Sequence, residues 1–323
     1  MKYRLYILGS ISFECIKAIP LCLPTYVTFY FSIYITINRF SMAFSKDEIE
    51  HLAQLTIGQS VNPLWRQLRI GRIFSTLIIE AIKMADALNQ FKGVALDDLP
   101  WTHKRNITWL RKCLLEFRRL DGIPEIDWGN NHERDGISSY VKKTGYNVQE
   151  TGLWLSPSGF LTCSPDGLVY PNRECKHPEG ILEVKCPYKL RNYRNISSSD
   201  WNQRLPYLDS NLKIDTRHKF YHRAQTEIYA TNTEWCDFIV WAPRGMLITR
   251  VEKDEDWIRR NIPLVENFFE TYLLPTSPIQ EDISSRRKNM EKEKMKKDKS
   301  IQIRKRRFQE NEISRRMNKV PKN

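Results

Sequence analysis

The chain has 323 residues, 41% of them hydrophobic and 28% charged, and its 51 Lys and Arg against 38 Asp and Glu give a formal net charge of +13. That balance excludes a wholly disordered or fibrous protein, and at roughly 150 residues per domain the length allows one large domain or two small ones. Seven Cys are too few for a disulfide scaffold and their odd number leaves a thiol unpaired, which fits a reducing compartment, nucleus or cytoplasm; the positive surplus points to a polyanion, either nucleic acid or an acidic membrane surface.

Between Lys17 and Arg39 lie 21 consecutive uncharged residues, about the length of a membrane-spanning helix. Pro20 and Pro24 interrupt the stretch, and no small-residue cleavage pattern follows it. Residues 1–43 therefore form a hydrophobic N-terminal segment, read either as a membrane anchor or as an extension absent from the working protein through initiation at Met42. Residues 44–275 read as one α/β domain. Ser45 with Glu48 predicts a capping box opening a helix over 46–55. Helical spacing follows over 73–88, and again where Ile107, Leu110, Leu114 and Phe117 share a face. Gly122 and Pro124 end that helix, and another is expected over 130–143. Short apolar runs at 152–155, 159–163, 167–170 and 180–186, separated by Pro and Gly, predict a meander of strands. A helix is expected at 218–230, strands at 235–241 and 246–251, and a closing helix at 254–272. The tail, residues 276–323, reads as disordered: from Ser284 onward it holds 16 Lys and Arg against 5 Asp and Glu, leaving 35 basic and 33 acidic residues in the rest of the chain. Arg304-Lys305-Arg306-Arg307 within it is a candidate nuclear address or phosphate-contacting arm, or else a solvated charge run.

The informative stretch is Ser164-Pro165-Asp166-Gly167 followed by Glu183-Val184-Lys185-Cys186-Pro187. On a strand, residues two apart share a face, so Glu183 and Lys185 project together, and a hairpin-like excursion of the intervening residues returns Asp166 beside them. Two converging carboxylates make a hard oxygen site suited to Mg²⁺ or Mn²⁺, and a lysine beside them can orient a water for attack on phosphorus. On spacing alone, a surface hairpin with a salt bridge is the better explanation of the pattern.

These residues resemble the PD-(D/E)XK nuclease signature in the form carried by the lambda-exonuclease and YqaJ-like viral recombinase family. Three further blocks are similar to that family and stand in its order: Thr56 to Ile73 with Gln59, Ser60, Trp65, Arg69 and Arg72; Trp128-Gly129-Asn130-Asn131-His132-Glu133; and Ala224-Gln225 through Trp235 to Asp237-Phe238. The resemblance implies a restriction-endonuclease-like core, a mixed central β-sheet flanked by helices. It implies that Asp166 and Glu183 are the principal metal ligands, with Glu133 a further ligand or supporting carboxylate. Lys185 is then the residue that positions or activates water, supported by Gln225, and Arg69 and Ser164 match phosphate-binding positions. One departure stands out: where the family carries Arg-Ile-Thr-Ala-Ser, this chain has Arg72-Ile73-Phe74-Ser75-Thr76, so Thr76 takes the place of the phosphate-anchoring serine and Ser75 is its neighbouring alternative. The implied activity is a divalent-metal-dependent DNA exonuclease of recombination or repair, acting on double-stranded DNA with free ends, with homo-oligomerisation open. The alternative is a catalytically silent DNA-binding scaffold of the same fold.

Other constellations are weaker. Cys163, Cys175, His177 and Cys186 lack the spacing of common zinc sites. His218 and His222 stand at i and i+4, but they and His132 read as surface or polar-network residues. The tryptophans, Trp101 and Trp109 among them, read mostly as core rather than as a stacking platform. The region 192–208, with Arg191 before it and Arg194 and Arg204 within it, reads as a loop able to touch DNA or simply solvated.

Overall fold

A computed structural model of the chain describes residues 44–116, 122–172, 174–193, 201 and 203–274. The N-terminal hydrophobic segment and the basic tail, with the anchor and address expectations attached to them, lie outside the described residues. No helix among the described residues is long and apolar enough to cross a membrane.

The chain enters through helix α1 (Lys46–Leu55). Its capping box forms as expected: the Glu48 N–H donates to Ser45 Oγ and the Ser45 N–H returns a bond to Glu48 Oε2 at 2.8 Å. Ile49, Leu52 and Ala53 supply its buried face. A short helix α2 (Pro63–Arg69) follows, capped by the Asn62 side chain and opened by Pro63 at a position where the missing N–H costs nothing. It turns Leu64, Trp65 and Leu68 inward and leaves Arg69 at its end.

Strand β1 (Ile73–Phe74) and one 3-10 turn occupy the start of the stretch expected to be wholly helical, and helix α3 (Ile78–Leu88) begins only at Ile78. Helix α4 (Trp101–Leu115) buries Ile107, Leu110 and Leu114 against it. Helix α5 (Pro124–Thr144) starts six residues earlier than expected, because Pro124 opens this helix rather than only closing the one before. It ends at Gly145 with φ +74°, the left-handed conformation that glycine adopts without strain.

Five strands form the main sheet, ordered β2 (Asn147–Gln149), β5 (Gly167–Tyr170), β6 (Gly180–Lys185), β7 (Trp235–Ala242) and β8 (Gly245–Glu252). It is mixed: β6 and β7 run parallel and the other neighbours antiparallel. Strands β3 (Trp154–Leu155) and β4 (Leu161–Cys163) join β1 in a second, three-stranded sheet. Helix α5 covers one face of the main sheet, where Tyr140 packs with Leu182, Val184 and Ile239. Helix α6 (Lys219–Thr231) covers the other, where Ile228 and Ala224 meet Ile181, Phe238 and Val240. Helix α7 (Glu255–Phe268) then packs on α3. Mixed sheets between helices are the architecture that the resemblance implies.

Candidate active site

The site forms at the C-terminal end of β6. Residues alternate across a strand, so Leu182 and Val184 face α5 while Ile181, Glu183 and Lys185 face α6. The β5–β6 hairpin returns Asp166 to this point: its N–H donates to the Leu182 carbonyl at 2.9 Å, and its Oδ2 accepts from the Val184 N–H at 2.6 Å. The excursion expected between Asp166 and Glu183 is therefore present, and two backbone-anchored bonds fix its register.

Glu183 is almost wholly buried. Its Oε1 accepts from Lys185 Nζ, which also donates to the Val184 carbonyl at 2.9 Å. Its Oε2 lies 2.8 Å from Arg223 Nη2. Arg223 in turn reaches Glu227, one turn on along α6, with Nε at 2.8 Å from Oε1, and that same oxygen accepts from the buried Ser75 hydroxyl at 2.9 Å. The chain Lys185–Glu183–Arg223–Glu227–Ser75 is a continuous buried polar network. A buried charge survives only when paired in this way.

Glu133 completes the cluster from α5. Gly136, three residues on and so on the same helical face, lets α5 lie against the sheet: a Cβ there would stand 2.8 Å from Val184 Cγ1. Burial pushes the Glu133 carboxyl above its usual range, with Lys185 opposing that shift and Glu183 adding to it. Desolvation, then Glu183, pushes Asp166 well up, and desolvation raises Glu227 against the pull of Arg223. Burial alone would lower Arg223, but Glu183, Glu227 and Asp166 outweigh it and hold the guanidinium charged.

Gln225 is not part of this network. Two residues beyond Arg223 is 200° around a helix, so its side chain leaves on the opposite side. Its Nε2 donates to the Glu252 carbonyl at 2.7 Å and its Oε1 accepts from the Asp254 N–H at 2.9 Å, pinning the turn between β8 and α7. The support for Lys185 that the sequence assigns to Gln225 is instead supplied through Glu183 by Arg223. Arg223 and Glu227 were missed because charges at i and i+4 on a helix ordinarily mark a solvated face.

The phosphate-binding candidates gather beside the cluster. The Arg69 guanidinium lies 3.6 Å over the Phe74 ring and 4.4 Å from the Trp65 ring, and burial followed by repulsion from Arg223 lowers its pKa to about 10. Trp65 Nε1 donates to the buried Ser164 hydroxyl at 2.7 Å, tying that residue to the same aromatic wall. Phe74, where the family carries threonine, is the platform under Arg69. Thr76 is exposed and lines the same groove as Arg69, whereas Ser75 is turned inward to Glu227. Of the two hydroxyls, Thr76 is the one that a ligand in the groove can reach.

Other candidates fall elsewhere. Cys163 is buried in β4, Cys175 faces Glu179, and the Cys186 thiol donates to the His132 carbonyl. His218 caps α6, His222 accepts from Trp257 Nε1 at 2.9 Å, and His132 pairs with Asp135 at 2.7 Å. Trp101 and Trp109, read as core, are 67% and 45% exposed on α4.

A mixed sheet that carries two carboxylates and a lysine at the end of an antiparallel hairpin is the arrangement that the resemblance implies. Residues 65–208 match the family model described as the YqaJ-like viral recombinase domain. No curated protein matches the chain. Similar solved structures include an alkaline exonuclease, LHK-Exo, from Laribacter hongkongensis, at 18% identity over 71% of this chain and 97% of that one, with a TM-score of 0.43. A phage-related exonuclease from Haemophilus somnus 129PT is similar at 12% identity, covering 64% and 96%, with a TM-score of 0.43. The shutoff and exonuclease protein of Kaposi's sarcoma-associated herpesvirus is similar at 11% identity, covering 75% and 77%, also at 0.43.

Proposed function

We propose that the chain is a divalent-metal-dependent deoxyribonuclease that hydrolyses phosphodiester bonds at the ends of double-stranded DNA in recombination or repair. The observation that carries this reading is the meeting of Asp166, Glu183 and Lys185 at the end of β6, within the residues that match the YqaJ-like viral recombinase domain model.

The donor set is the test of whether a metal belongs here. Asp166, Glu133 and Glu183 interact with one another, Glu227 reaches Glu183 through Arg223, and Asp166, Glu133 and Glu227 are pushed toward the neutral form by desolvation, so the region has surplus acid that a divalent cation would offset. Oxygen donors of this kind suit Mg²⁺ or Mn²⁺. Among the described residues no three acidic, His or Cys groups are already set around one point as a metal cage. Asp166 and Glu133 are the carboxylates that would hold the ion, with Glu183 Oε2, which makes no hydrogen bond and lies 2.8 Å from Arg223 Nη2, beside them. A bound divalent cation would lower the pKa of a water and neutralise charge building on phosphorus. The chain's own residues do the rest. Lys185 Nζ, held by Glu183 and the Val184 carbonyl, is placed to hydrogen-bond a water or a phosphate oxygen. Arg69 offers a fork for a phosphate, held flat on Phe74, with the Thr76 hydroxyl in the same groove.

One observation favours the alternative, a silent DNA-binding scaffold: both oxygens of Glu183 are occupied by cations, Lys185 and Arg223. Cleavage of end-labelled linear DNA with added Mg²⁺, in the wild type against Asp166→Ala, separates the two readings. The enzyme cuts and the variant does not; a scaffold leaves the label intact in both.

A further inference from the structure

Among the described residues eight large apolar side chains are exposed, and four of them, Val61, Ile70, Trp109 and Leu115, line one groove of about 710 Å³. Clustering of this kind marks a contact surface, where single exposed apolar residues would mean nothing. The groove also holds Arg69 and Thr76, and its far wall includes Asn130, three residues before Glu133 on α5. Asn130, and Arg69 with the repulsion it feels from Arg223, place this end of the groove toward the carboxylate cluster.

From Trp109 the surface continues along α4. At 100° per residue, Trp101, Arg105, Trp109 and Lys112 fall within an arc of about 80° and a length of about 16 Å. All four are exposed, and the opposite face of the helix, Ile107, Leu110 and Leu114, is buried. The Arg105 guanidinium lies 5.6 Å from the centre of the Trp101 ring. Arg66 and Arg69 stand on the other wall of the groove, and Glu116, paired with Lys112 at 3.7 Å, is the one acid lining it. Open indole faces alternating with cations are the chemistry of a surface that stacks bases and attracts the phosphates between them.

We propose that this stripe of α4 is a docking track for a single strand of DNA passing between the groove and solvent, with bases stacked on Trp101 and Trp109 and phosphates held by Arg105 and Lys112. A duplex offers groove edges and phosphates but no free base faces, so the strand must be unpaired where it meets the stripe. The inference rests on the nuclease reading for the strand's destination, but the contact itself needs no cleavage.

The test is fluorescence anisotropy with the full chain in EDTA, where no metal-dependent cutting interferes. The labelled probes are single strands of about 20 and about 4 nucleotides and a blunt duplex, of which only the long single strand reaches the stripe from the groove. Trp101→Ala/Arg105→Ala should weaken binding of the long strand at least about tenfold. The same variant should bind the tetranucleotide and the duplex within about threefold of wild type, and Trp101→Phe, which keeps a ring, should bind the long strand within about twofold. Unchanged tetranucleotide binding and an unchanged melting curve show that the variant folds. Wild-type affinity of the double variant for the long strand overturns the proposal, as does equal loss of single strand and duplex. So does loss of binding to anionic phospholipid vesicles with none to DNA. A wild type that never cuts yet shows stripe-dependent binding defeats the nuclease reading and upholds the track; one that cuts with stripe-independent binding does the reverse.

Discussion

Arg223 Nη2 stands 2.8 Å from Glu183 Oε2 while its Nε stands 2.8 Å from Glu227 Oε1, so one guanidinium joins two carboxylates that are both almost wholly buried. Removing it leaves two charges without their partner. Truncating one member of a buried ion pair typically costs about 3–5 kcal/mol, much of it the penalty for the orphaned charge. Arg223→Met is expected to destabilise the protein by about that amount in urea unfolding at neutral pH. Arg223→Met/Glu227→Met should recover part of the loss, since it removes a carboxylate along with the cation. A double variant no more stable than the single one would show that Glu227 is not held through Arg223.

The two ends of the Gln225 side chain reach the Glu252 carbonyl and the Asp254 N–H rather than Lys185, which the resemblance has it support. Gln225→Ala strands both backbone groups, at about 1–3 kcal/mol each. Its melting temperature should fall, while cleavage per folded molecule stays within a few-fold of wild type. A large drop in turnover at unchanged stability would return Gln225 to the catalytic machinery.

What the sequence made legible was local. The hairpin that returns Asp166 to Glu183 follows from turn residues and strand alternation, and the capping box at Ser45 from a four-residue pattern. The partners of Glu183 were not legible. Arg223 and Glu227 look like a solvated helical pair until the sheet is placed beneath them, and only tertiary packing turns that face inward. Trp101 and Trp109 went wrong for the converse reason: large aromatics are usually core, but α4 already buries Ile107, Leu110 and Leu114, leaving no room on its inner face.

The pH dependence follows from the sign of the shifts. Asp166, Glu133 and Glu227 all have raised folded-state values, Asp166 and Glu227 with the strongest burial. A raised carboxyl favours the fold below its unfolded pKa, and that contribution is lost as pH rises through the folded value. Metal-free protein is therefore expected to lose stability as pH is raised from about 4 through neutrality. Added Mg²⁺ should restore it most at the upper end. Asp166→Asn keeps an acceptor for the Val184 N–H without the charge, and should melt above wild type at pH 8 without metal, by about 2–4 °C per kcal/mol recovered. A melting temperature that rises with pH in EDTA would contradict the assignment.

Ser75 and Thr76 part company in the same way. Thr76→Ala removes the hydroxyl that faces the groove and should raise KM for phosphorylated DNA ends about several-fold with little change in melting temperature. Ser75→Ala takes a bond from buried Glu227 and should cost about 1–3 kcal/mol of stability. Reversed behaviour would make Ser75 the phosphate ligand.

The central claim is that Asp166, Glu183 and Lys185 form a metal-dependent nuclease centre acting at DNA ends. Its most direct measurement is release of label from end-labelled linear DNA alongside a closed circle, with Mg²⁺ or Mn²⁺, for the wild type, Asp166→Ala and Lys185→Ala. The account predicts that the wild type degrades the linear molecule and spares the circle, that EDTA stops it, and that each variant falls by at least about a hundredfold. A wild type as inert as both variants in either metal would contradict it.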